Sequence, residues 1–534
     1  MQARFEKGVE TVTDGVHVAI GFGLANAVML EGDDGVVIVD TMESRSRAEE
    51  VLAAFREITD KPIEAVILTH NHADHVFGGQ VFTEGRDDIP VYAHATTSAL
   101  IDEVVSVISG AIYTRSMRQF GQLLPEGHAP HAGIGPDLGY RAEEMALARP
   151  THTFEDTLDL EIAGIRMQLI HAPGETPDQV IVWLPDKGVL LPADNIYQAF
   201  PNLYAIRGTP YRDVLQWVES LDRMRALEAE YLVPGHTRPV VGASSVGEVL
   251  TAYRDAIQFV HDQTVRGMNR GRTPDALASE IRLPPHLEHH PWLQPHYGTV
   301  AWSVKAVYAG YMGWFDGDAA TLEPLPPHER SQRFAGALAD GRPLAEQARD
   351  ALAGEDFAWA AELAAHWWRI EPGNAEAAET LAAAFEALAS RHPSANGRNY
   401  YRTQAAEIRG ELTIVPTDRS VVPDDFIESV PIDRFMRALP VRLKAEEVLE
   451  LDQAAVFHFT DLDTHYTIHI RRGVAEVQPH AHPAPGLTIT TTSAEWKRLA
   501  TGKRNPVAAV GTGSIQIEGG ALALSRFLGH FERD

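Results

Sequence analysis

Three histidines and one aspartate lie within six residues, directly after the apolar run EAVIL: His70, His72, Asp74 and His75. Residues two apart in an extended stretch point to the same side, so His70 and His72 can bind one metal ion. The turn into the following helix presents Asp74 and His75 together, toward a second ion. Imidazole and carboxylate ligands suit zinc and similar divalent metals. The pattern therefore predicts a metal site at the carboxyl end of a strand.

The composition restricts both the ligands and the partners. The 534 residues include no cysteine, so any metal must be held by His, Asp and Glu, and disulfides are excluded. A formal charge of -28, from 46 basic and 74 acidic residues, argues against a nucleic-acid binder. No apolar run reaches the roughly 18 residues of a membrane span. The amino terminus has no apolar secretory signal, so we expect a cytoplasmic protein, or a secreted one if a leader has been trimmed.

The metal motif lies within a long segment of alternating strands and helices. Over residues 1–320 short apolar runs such as VHVAIGF, GVVIVDT, EAVILTH, GVLLPAD and EYLVPGH predict strands of a layered α/β domain. Residues 321–415 are rich in alanine and predict an all-α domain with a helical hairpin, whose two helices meet at residues 371–374. Residues 424–534 predict a small α+β domain, which opens with a short helix over FIESVPIDRFMRAL (426–439) and then alternates between polar and apolar positions. We therefore expect three domains.

The His70 to His75 motif resembles the signature of the metallo-β-lactamase superfamily, and the likeness extends over the first domain. It implies an αββα sandwich with a two-metal site at the edge of its sheets. Three later loops match the remaining ligand positions, through Glu175 in PGETP, Asp194 in LPADN and His236 in VPGH. The resemblance implies two Zn2+ ions per chain and the following arrangement. One ion is held by His70, His72 and Glu175, the other by Asp74, His75 and His236, and Asp194 bridges them.

Other segments narrow the resemblance to the alkylsulfatase family. Glu175 stands where a histidine is more usual, and PNLYAIRG at 201–208, FGQLLP at 120–125 and VKAVY at 304–308 are similar to segments of that family. The family combines a catalytic domain, a helical dimerisation domain and a carboxyl-terminal domain similar to sterol carrier protein 2. The resemblance therefore implies a homodimer formed through the helical domain. It also implies that Asn202 and Arg207 hold the sulfate group of an alkyl sulfate ester, and that metal-activated hydroxide releases the alcohol and inorganic sulfate.

Two further residue roles follow from the resemblance and from charge. Asp40 matches an aspartate that accepts a hydrogen bond from a ligating histidine and fixes its tautomer. Two divalent ions, three carboxylates and one hydroxide sum to zero formal charge, and Arg207 adds one positive charge. Because its planar guanidinium suits a tetrahedral oxyanion, a monoanionic sulfate ester fits better than a dianionic phosphate monoester.

The chain also departs from the alkylsulfatase pattern. Thr237 follows His236 where the family often has a second histidine, and Ala301-Trp302 stands where it often has Ser-His. His296, in a segment rich in histidine and proline, could supply the lost imidazole and bind substrate. Two alternatives stay open: another hydrolase of the superfamily (a phosphodiesterase, lactonase or β-lactamase-like enzyme), or a lipid-binding protein with a vestigial metal centre.

Overall fold

Two β-sheets lie face to face in the first part of the chain. The computed structural model describes residues 4–338, 341–415 and 419–532. One sheet has the strand order β1-β2-β3-β4-β5-β6-β7, and the other has the order β13-β12-β11-β10-β9-β8. The first sheet consists of β1 Gly8–Thr13, β2 Val16–Ile20, β3 Ala27–Glu31, β4 Val36–Val39, β5 Ile63–Ile67, β6 Val91–His94 and β7 His152–Phe154. The second consists of β8 Thr157–Ile162, β9 Ile165–His171, β10 Val180–Leu184, β11 Val189–Ala193, β12 Tyr231–Pro234 and β13 Val240–Val241.

Helices cover the two sheets, as an αββα sandwich requires. Apolar residues of both sheets, among them Val37 of β4 and Leu169 of β9, form one core between them. A second core joins strands β10 and β11 to helices α6, α7 and α10 and includes Trp217 and Tyr253. The predicted sandwich is therefore confirmed. The helices up to α10 are α1 Arg45–Arg56, α2 Ala73–Val76, α3 Gly79–Phe82, α4 Thr97–Ser106, α5 Ser109–Phe120, α6 Val214–Ala226, α7 Ala243–Met268, α8 Pro274–Glu280, α9 Pro285–Glu288 and α10 Val300–Met312.

Strand direction brings several loops to one edge of the sandwich. In the first sheet β4 and β5 run parallel, and in the second sheet β11 and β12 run parallel. Strand β9 is antiparallel to β10, which is antiparallel to β11, so β9 points the same way as β11. Loops that follow β9, β11 and β12 therefore leave the second sheet at the same edge.

In the part of the chain that the structure describes between the sandwich and Val415, five helices follow, and the predicted hairpin is among them. Helix α13 ends at its C-cap Glu371, and Asn374 caps α14 by accepting hydrogen bonds from the next backbone N–H groups. These helices belong to the same compact unit as the sandwich, which runs up to Thr97 and includes Ile112–Tyr140 and Pro150–Val415. The boundary near residue 320 stays a prediction. The helices are α11 Pro327–Ala337, α12 Leu344–Ala353, α13 Phe357–Ile370, α14 Ala375–Arg391 and α15 Ala395–Arg409.

A second compact unit comprises Ser98–Ala111, Arg141–Arg149 and the described residues from 419 onward. Its sheet has the order β16-β15-β14-β17-β18, as expected for an α+β unit. The single helix expected over FIESVPIDRFMRAL is wrong, because Pro431 ends one short helix and begins the next. Similarity to sterol carrier protein 2 stays a prediction. The elements are α16 Asp424–Ser429, α17 Ile432–Arg437, β14 Asp452–Phe459, β15 Thr464–Arg471, β16 Val474–Gln478, β17 Leu487–Thr491, α18 Ser493–Ala500, α19 Pro506–Gly511, β18 Gln516–Glu518 and α20 Ala521–Gly529.

Within the described ranges, no helix combines the length and apolar character needed to cross a bilayer.

Candidate metal centre

One group of possible metal ligands consists of His70, His72 and Asp194. Their donor atoms all lie within 4.8 Å of one another. His70 Nε2 is 3.0 Å from His72 Nδ1 and 3.7 Å from Asp194 Oδ2. Both histidines lie in the loop that follows β5, and Asp194 follows β11, so the group joins the two sheets. The pairing of His70 with His72 agrees with the prediction from their spacing.

A second group consists of Asp74, His75 and His236, with donor atoms again within 4.8 Å of one another. Asp74 Oδ2 is 3.5 Å from His75 Nε2 and 3.6 Å from His236 Nε2. The first two residues lie on the short helix α2, and His236 follows β12. All three are buried.

Asp194 lies between the two groups. Its Oδ2 is 3.1 Å from His236 Nε2, and its Oδ1 is 3.4 Å from His75 Nε2. The same carboxylate reaches His70 of the first group, so its position suits the bridging role that the resemblance implied.

Glu175 is placed differently from the other expected ligands. It is 3% exposed and belongs to neither ligand group. Its Oε1 accepts a hydrogen bond from Arg212 Nη1 at 2.5 Å, and its Oε2 has no hydrogen-bond partner among the described residues. One carboxylate oxygen therefore remains for a cation, and its assignment as a metal ligand stays a prediction.

Glycines allow the ligand loops to approach closely. A Cβ on Gly235 would lie 2.5 Å from Asp194 Oδ1, and a Cβ on Gly174 would lie 2.1 Å from Asn195 Oδ1. The Pro-Gly pairs before Glu175 and His236 thus have a steric reason. Asp40 and Ala193, at the ends of β4 and β11, adopt positive φ angles of 61° and 49°, a strain typical of functional sites.

Hydrogen bonds orient the imidazoles. Asp40 Oδ2 lies 2.7 Å from His75 Nδ1, as the resemblance implied, and also accepts from the Thr69 hydroxyl at 2.9 Å. The carbonyl oxygen of Leu24 lies 2.7 Å from His236 Nδ1. When Nδ1 carries the proton of such a bond, Nε2 is left with a lone pair for a metal.

The pKa shifts favour the metal-binding state of His70, His72, Asp74 and Asp194, whereas for His75 and His236 burial is outweighed by nearby carboxylates, Asp194 above all, which raise the pKa of both imidazoles. Burial lowers the pKa of His70 and His72 well below the ordinary value, which keeps these imidazoles neutral. Burial opposes the ionisation of Asp74, but His75 and His236 more than offset it and bring the pKa of Asp74 to about 2. His236 and His75 likewise hold the pKa of Asp194 well below its usual range against burial.

These residues fit a pair of divalent cations. The ligand set is entirely nitrogen and oxygen, and all of it except the partly exposed His72 is buried, at the point where two sheets meet. His75 Nε2 and Asp194 Oδ1 are buried without a hydrogen-bond partner among the described residues. Such atoms are costly unless an ion or another partner satisfies them.

Arg207 lies beside the first ligand group. Its Nη2 is 3.1 Å from His72 Nε2, and its backbone N–H donates to Gln119 Oε1 at 2.9 Å. Asn202 is 1% exposed, and its Oδ1 has no hydrogen-bond partner among the described residues. Its backbone N–H donates to the Tyr197 hydroxyl at 2.8 Å. A cation therefore stands next to one of the metal ligands, and Asn202 offers a buried amide oxygen without a hydrogen-bond partner among the described residues.

His296 is not brought to the centre. In the described part of the chain, its side chain makes no hydrogen bond, ion pair or ring contact with the ligand groups, and its backbone oxygen accepts from Ala395 N at 3.0 Å. Burial lowers its pKa, and repulsion from Arg4 adds to this effect. Its role in substrate binding stays a prediction without support from these contacts.

Two residues near the centre were missed by the sequence analysis. Arg212 pairs with Glu175, and Gln119 of α5 accepts from the Arg207 backbone. Gln119 is fully buried, and a lone glutamine in a helical stretch gave no signal. The run PNLYAIRGTPYR contains a second arginine five residues after Arg207, which was the available clue.

Family models match most of the chain. A metallo-beta-lactamase superfamily model matches residues 20–236, an alkyl sulfatase dimerisation model matches 273–411, and an alkyl sulfatase C-terminal model matches 420–534. The last two cover much of the segments predicted as the helical and carboxyl-terminal domains.

Similar proteins span nearly the full chain. A linear primary-alkylsulfatase from a Pseudomonas species is 36% identical over 522 residues, which are 94% of this chain and 98% of that protein. An alkyl/aryl-sulfatase from Saccharomyces cerevisiae is 28% identical over 98% of this chain and 82% of its own length. The solved structure of a stereoselective inverting sec-alkylsulfatase from a Pseudomonas species superposes with a TM-score of 0.91 at 26% identity, covering 99% of this chain and 85% of that one.

Proposed function

Because this chain belongs to the alkylsulfatase family of the metallo-β-lactamase superfamily, we propose that it is a metal-dependent hydrolase that cleaves alkyl sulfate esters into an alcohol and inorganic sulfate. The observation that carries this proposal is the placement of a guanidinium beside the ligand groups, with Arg207 Nη2 at 3.1 Å from His72 Nε2. A fixed cation next to a two-metal site suits an ester that carries a permanent negative charge.

We propose Zn2+ as the metal, with two ions per chain. Six of the candidate ligands form the two groups described above, and Glu175 has one carboxylate oxygen without a hydrogen-bond partner among the described residues. Nitrogen and oxygen ligands without thiolates are compatible with zinc. When bound, such ions lower the pKa of water and polarise the oxygens of the ester.

The residues around the metals would bind and orient the substrate. Arg207 would pair with the sulfate oxygens through its planar guanidinium, and the Asn202 side chain would add an amide hydrogen bond. Asp40 would hold His75 in the tautomer that a ligand needs, through the contact of 2.7 Å. Burial of the site would keep bulk water from screening these charges.

The buried charges also suggest selectivity. Because Arg212 offsets the charge of Glu175, only Asp74 and Asp194 remain as uncompensated carboxylates beside the two divalent ions and Arg207. The formal charge of the site is therefore one unit more positive than the sequence alone indicated. An ester with at least one negative charge would be favoured over a neutral lactone.

The test is release of inorganic sulfate from dodecyl sulfate and from a secondary alkyl sulfate, with a phosphodiester assayed on the same sample. We expect sulfate release that is lost with a chelator and restored by Zn2+. The variant Arg207→Ala should lose most of this activity, whereas Arg166→Ala, which breaks an exposed pair with Asp186, should not. Preference for the phosphodiester would favour another hydrolase of the superfamily. No turnover by metal-loaded protein would favour a lipid-binding protein with a vestigial centre.

We also propose that the chain forms a homodimer through its helical segment. The alkyl sulfatase dimerisation model matches residues 273–411, which include all five helices from α11 to α15. Light scattering during size-exclusion chromatography should give twice the chain mass of 58.6 kDa. A monomer across the concentration range of the assay would contradict this proposal. A cytoplasmic location stays a prediction.

A further inference from the structure

The side chain of Arg212 is buried although it carries a permanent charge. Only 2% of it is exposed, and the side chain of its partner Glu175 is 3% exposed. A buried guanidinium is costly unless carboxylates or carbonyls satisfy it. Arg212 Nη1 makes two such contacts, one with Glu175 Oε1 at 2.5 Å and one with the carbonyl oxygen of Asn202 at 2.6 Å.

These two contacts join loops with different tasks. Glu175 lies in the loop after β9, which also contains the Pro-Gly pair described above. Asn202 lies in the long segment between β11 and α6, which also carries Arg207. One nitrogen atom therefore links a candidate metal ligand to the segment that we assign to sulfate binding.

The backbone at Arg212 is held by the start of α6, whereas its side-chain Nε and Nη2 have no hydrogen-bond partner among the described residues. Arg212 directly precedes Asp213, the N-cap of α6, whose carboxylate accepts hydrogen bonds from Leu215 N and Gln216 N. Helix α6 buries Trp217 and Leu221 in the core beside the second sheet. The backbone that carries Arg212 is thus fixed by a capped and well-packed helix.

Glu175 needs such a partner. Its side chain is 3% exposed, and a buried carboxylate is costly unless a cation or a hydrogen-bond donor satisfies it. With Oε1 held by Arg212, Oε2 has no hydrogen-bond partner among the described residues. The contact therefore restricts how the carboxylate can turn and leaves one oxygen for an ion.

We propose that Arg212 is a positioning residue that couples the metal centre to the sulfate site. It orients the Glu175 carboxylate for an ion, and through the Asn202 carbonyl it fixes the segment that carries Asn202 and Arg207. The part of this inference that concerns Asn202 rests on the proposed function, because only the binding of a sulfate ester would reveal the effect of the contact between Arg212 and Asn202. Partners that orient metal ligands in this way are worth about 10–100-fold in metal affinity.

The test compares Arg212→Met and Arg212→Lys with the parent enzyme. Competition with a chromogenic chelator gives the Zn2+ affinity, and sulfate release gives kcat and KM. Arg212→Met should bind the ion that Glu175 contacts about 10–100-fold less tightly, and its KM for dodecyl sulfate should be higher than that of the parent. Arg212→Lys keeps the charge and should recover most of the Zn2+ affinity. The control Arg254→Met loses a partly exposed pair with Asp222 and should match the parent in both readouts.

A double-mutant cycle separates positioning from general destabilisation. If Arg212 acts through Glu175, Arg212→Met should cause little further loss of Zn2+ affinity in a Glu175→Gln background. Additive losses, or parent-like Zn2+ affinity in Arg212→Met, would overturn the inference. If Arg212→Met does not fold, the same cycle with the polar, uncharged variant Arg212→Gln decides, since unchanged Zn2+ affinity with unchanged KM would again overturn the inference. The Zn2+ measurements need no substrate, so failure of the proposed function would appear separately, as a parent enzyme that binds zinc without releasing sulfate.

Discussion

Replacing Asp40 with asparagine should weaken metal binding at the group formed by Asp74, His75 and His236. Asp40 Oδ2 faces His75 Nδ1 at 2.7 Å and the Thr69 hydroxyl at 2.9 Å, and Oδ1 accepts from Thr69 N at 2.9 Å. Asparagine keeps the shape and tolerates the positive φ of 61° at this position. It presents an N–H2 group where a carboxylate oxygen was, so the imidazole must turn away or move its proton to Nε2, the nitrogen that a metal would need.

The size of the effect follows from the role of the contact. Loss of a partner that fixes a metal-binding histidine typically costs 10–100-fold in affinity, which is about 1.4–2.8 kcal/mol. The carboxylate is buried at 3% exposure, so solvent cannot replace it. We therefore expect the affinity for one Zn2+ ion to fall and the affinity for the other to stay near that of the parent.

Metal affinity can be measured by titration against a chromogenic chelator, with the bound metal counted after desalting. Asp452→Asn is a matched control, because Asp452 forms a similar contact of 2.7 Å with His469 but is 75% exposed and lies in the other compact unit. Parent-like affinity for both ions in Asp40→Asn would refute the tautomer argument. Equal losses in both variants would point to a general effect of the substitution rather than to His75.

Three further outcomes are expected. Gln119→Leu removes the acceptor of the Arg207 backbone N–H. Leaving that buried N–H without a partner costs about 1–3 kcal/mol, so KM for an alkyl sulfate should rise by roughly tenfold. Gln119→Glu keeps the acceptor, so equal KM values in the two variants would argue against this role. Chelation should lower the melting temperature, and Zn2+ at 100 times its Kd should restore about 2.7 kcal/mol of stability for each bound ion in calorimetry, so an unchanged melting temperature would count against a folded-state metal site. Trp217→Ala should lower the free energy of unfolding, measured in urea, by about 3–5 kcal/mol. The reason is that Trp217 is fully buried and its Nε1 donates to the Asn195 carbonyl at 3.2 Å. A loss as small as that of Trp217→Phe would contradict this packing role of Trp217.

Much of the fold could be predicted from local patterns. Apolar runs predicted most strands of the sandwich, and Pro372 and Gly373 marked the turn of the helical hairpin. Strand β8 was not predicted, although TLDLEI alternates, because it is half exposed and short of β-branched residues. The helix expected over 426–439 failed at Pro431, where the residue before the proline left the helical conformation.

The sequence by itself determined which side chains could bind metal, because the residue types and the spacing of His70, His72, Asp74 and His75 are local properties of one strand end and one helical turn. The family resemblance also follows from the sequence, because it rests on short contiguous motifs. Only the tertiary structure decided that Asp194 reaches both ligand groups, that Glu175 pairs with Arg212, and that, among the described residues, the His296 side chain makes no polar or ring contact with the ligand groups. These contacts depend on the direction and pairing of strands that are far apart in the chain and on which buried charges come together. Neither can be predicted from residues that are neighbours in the sequence.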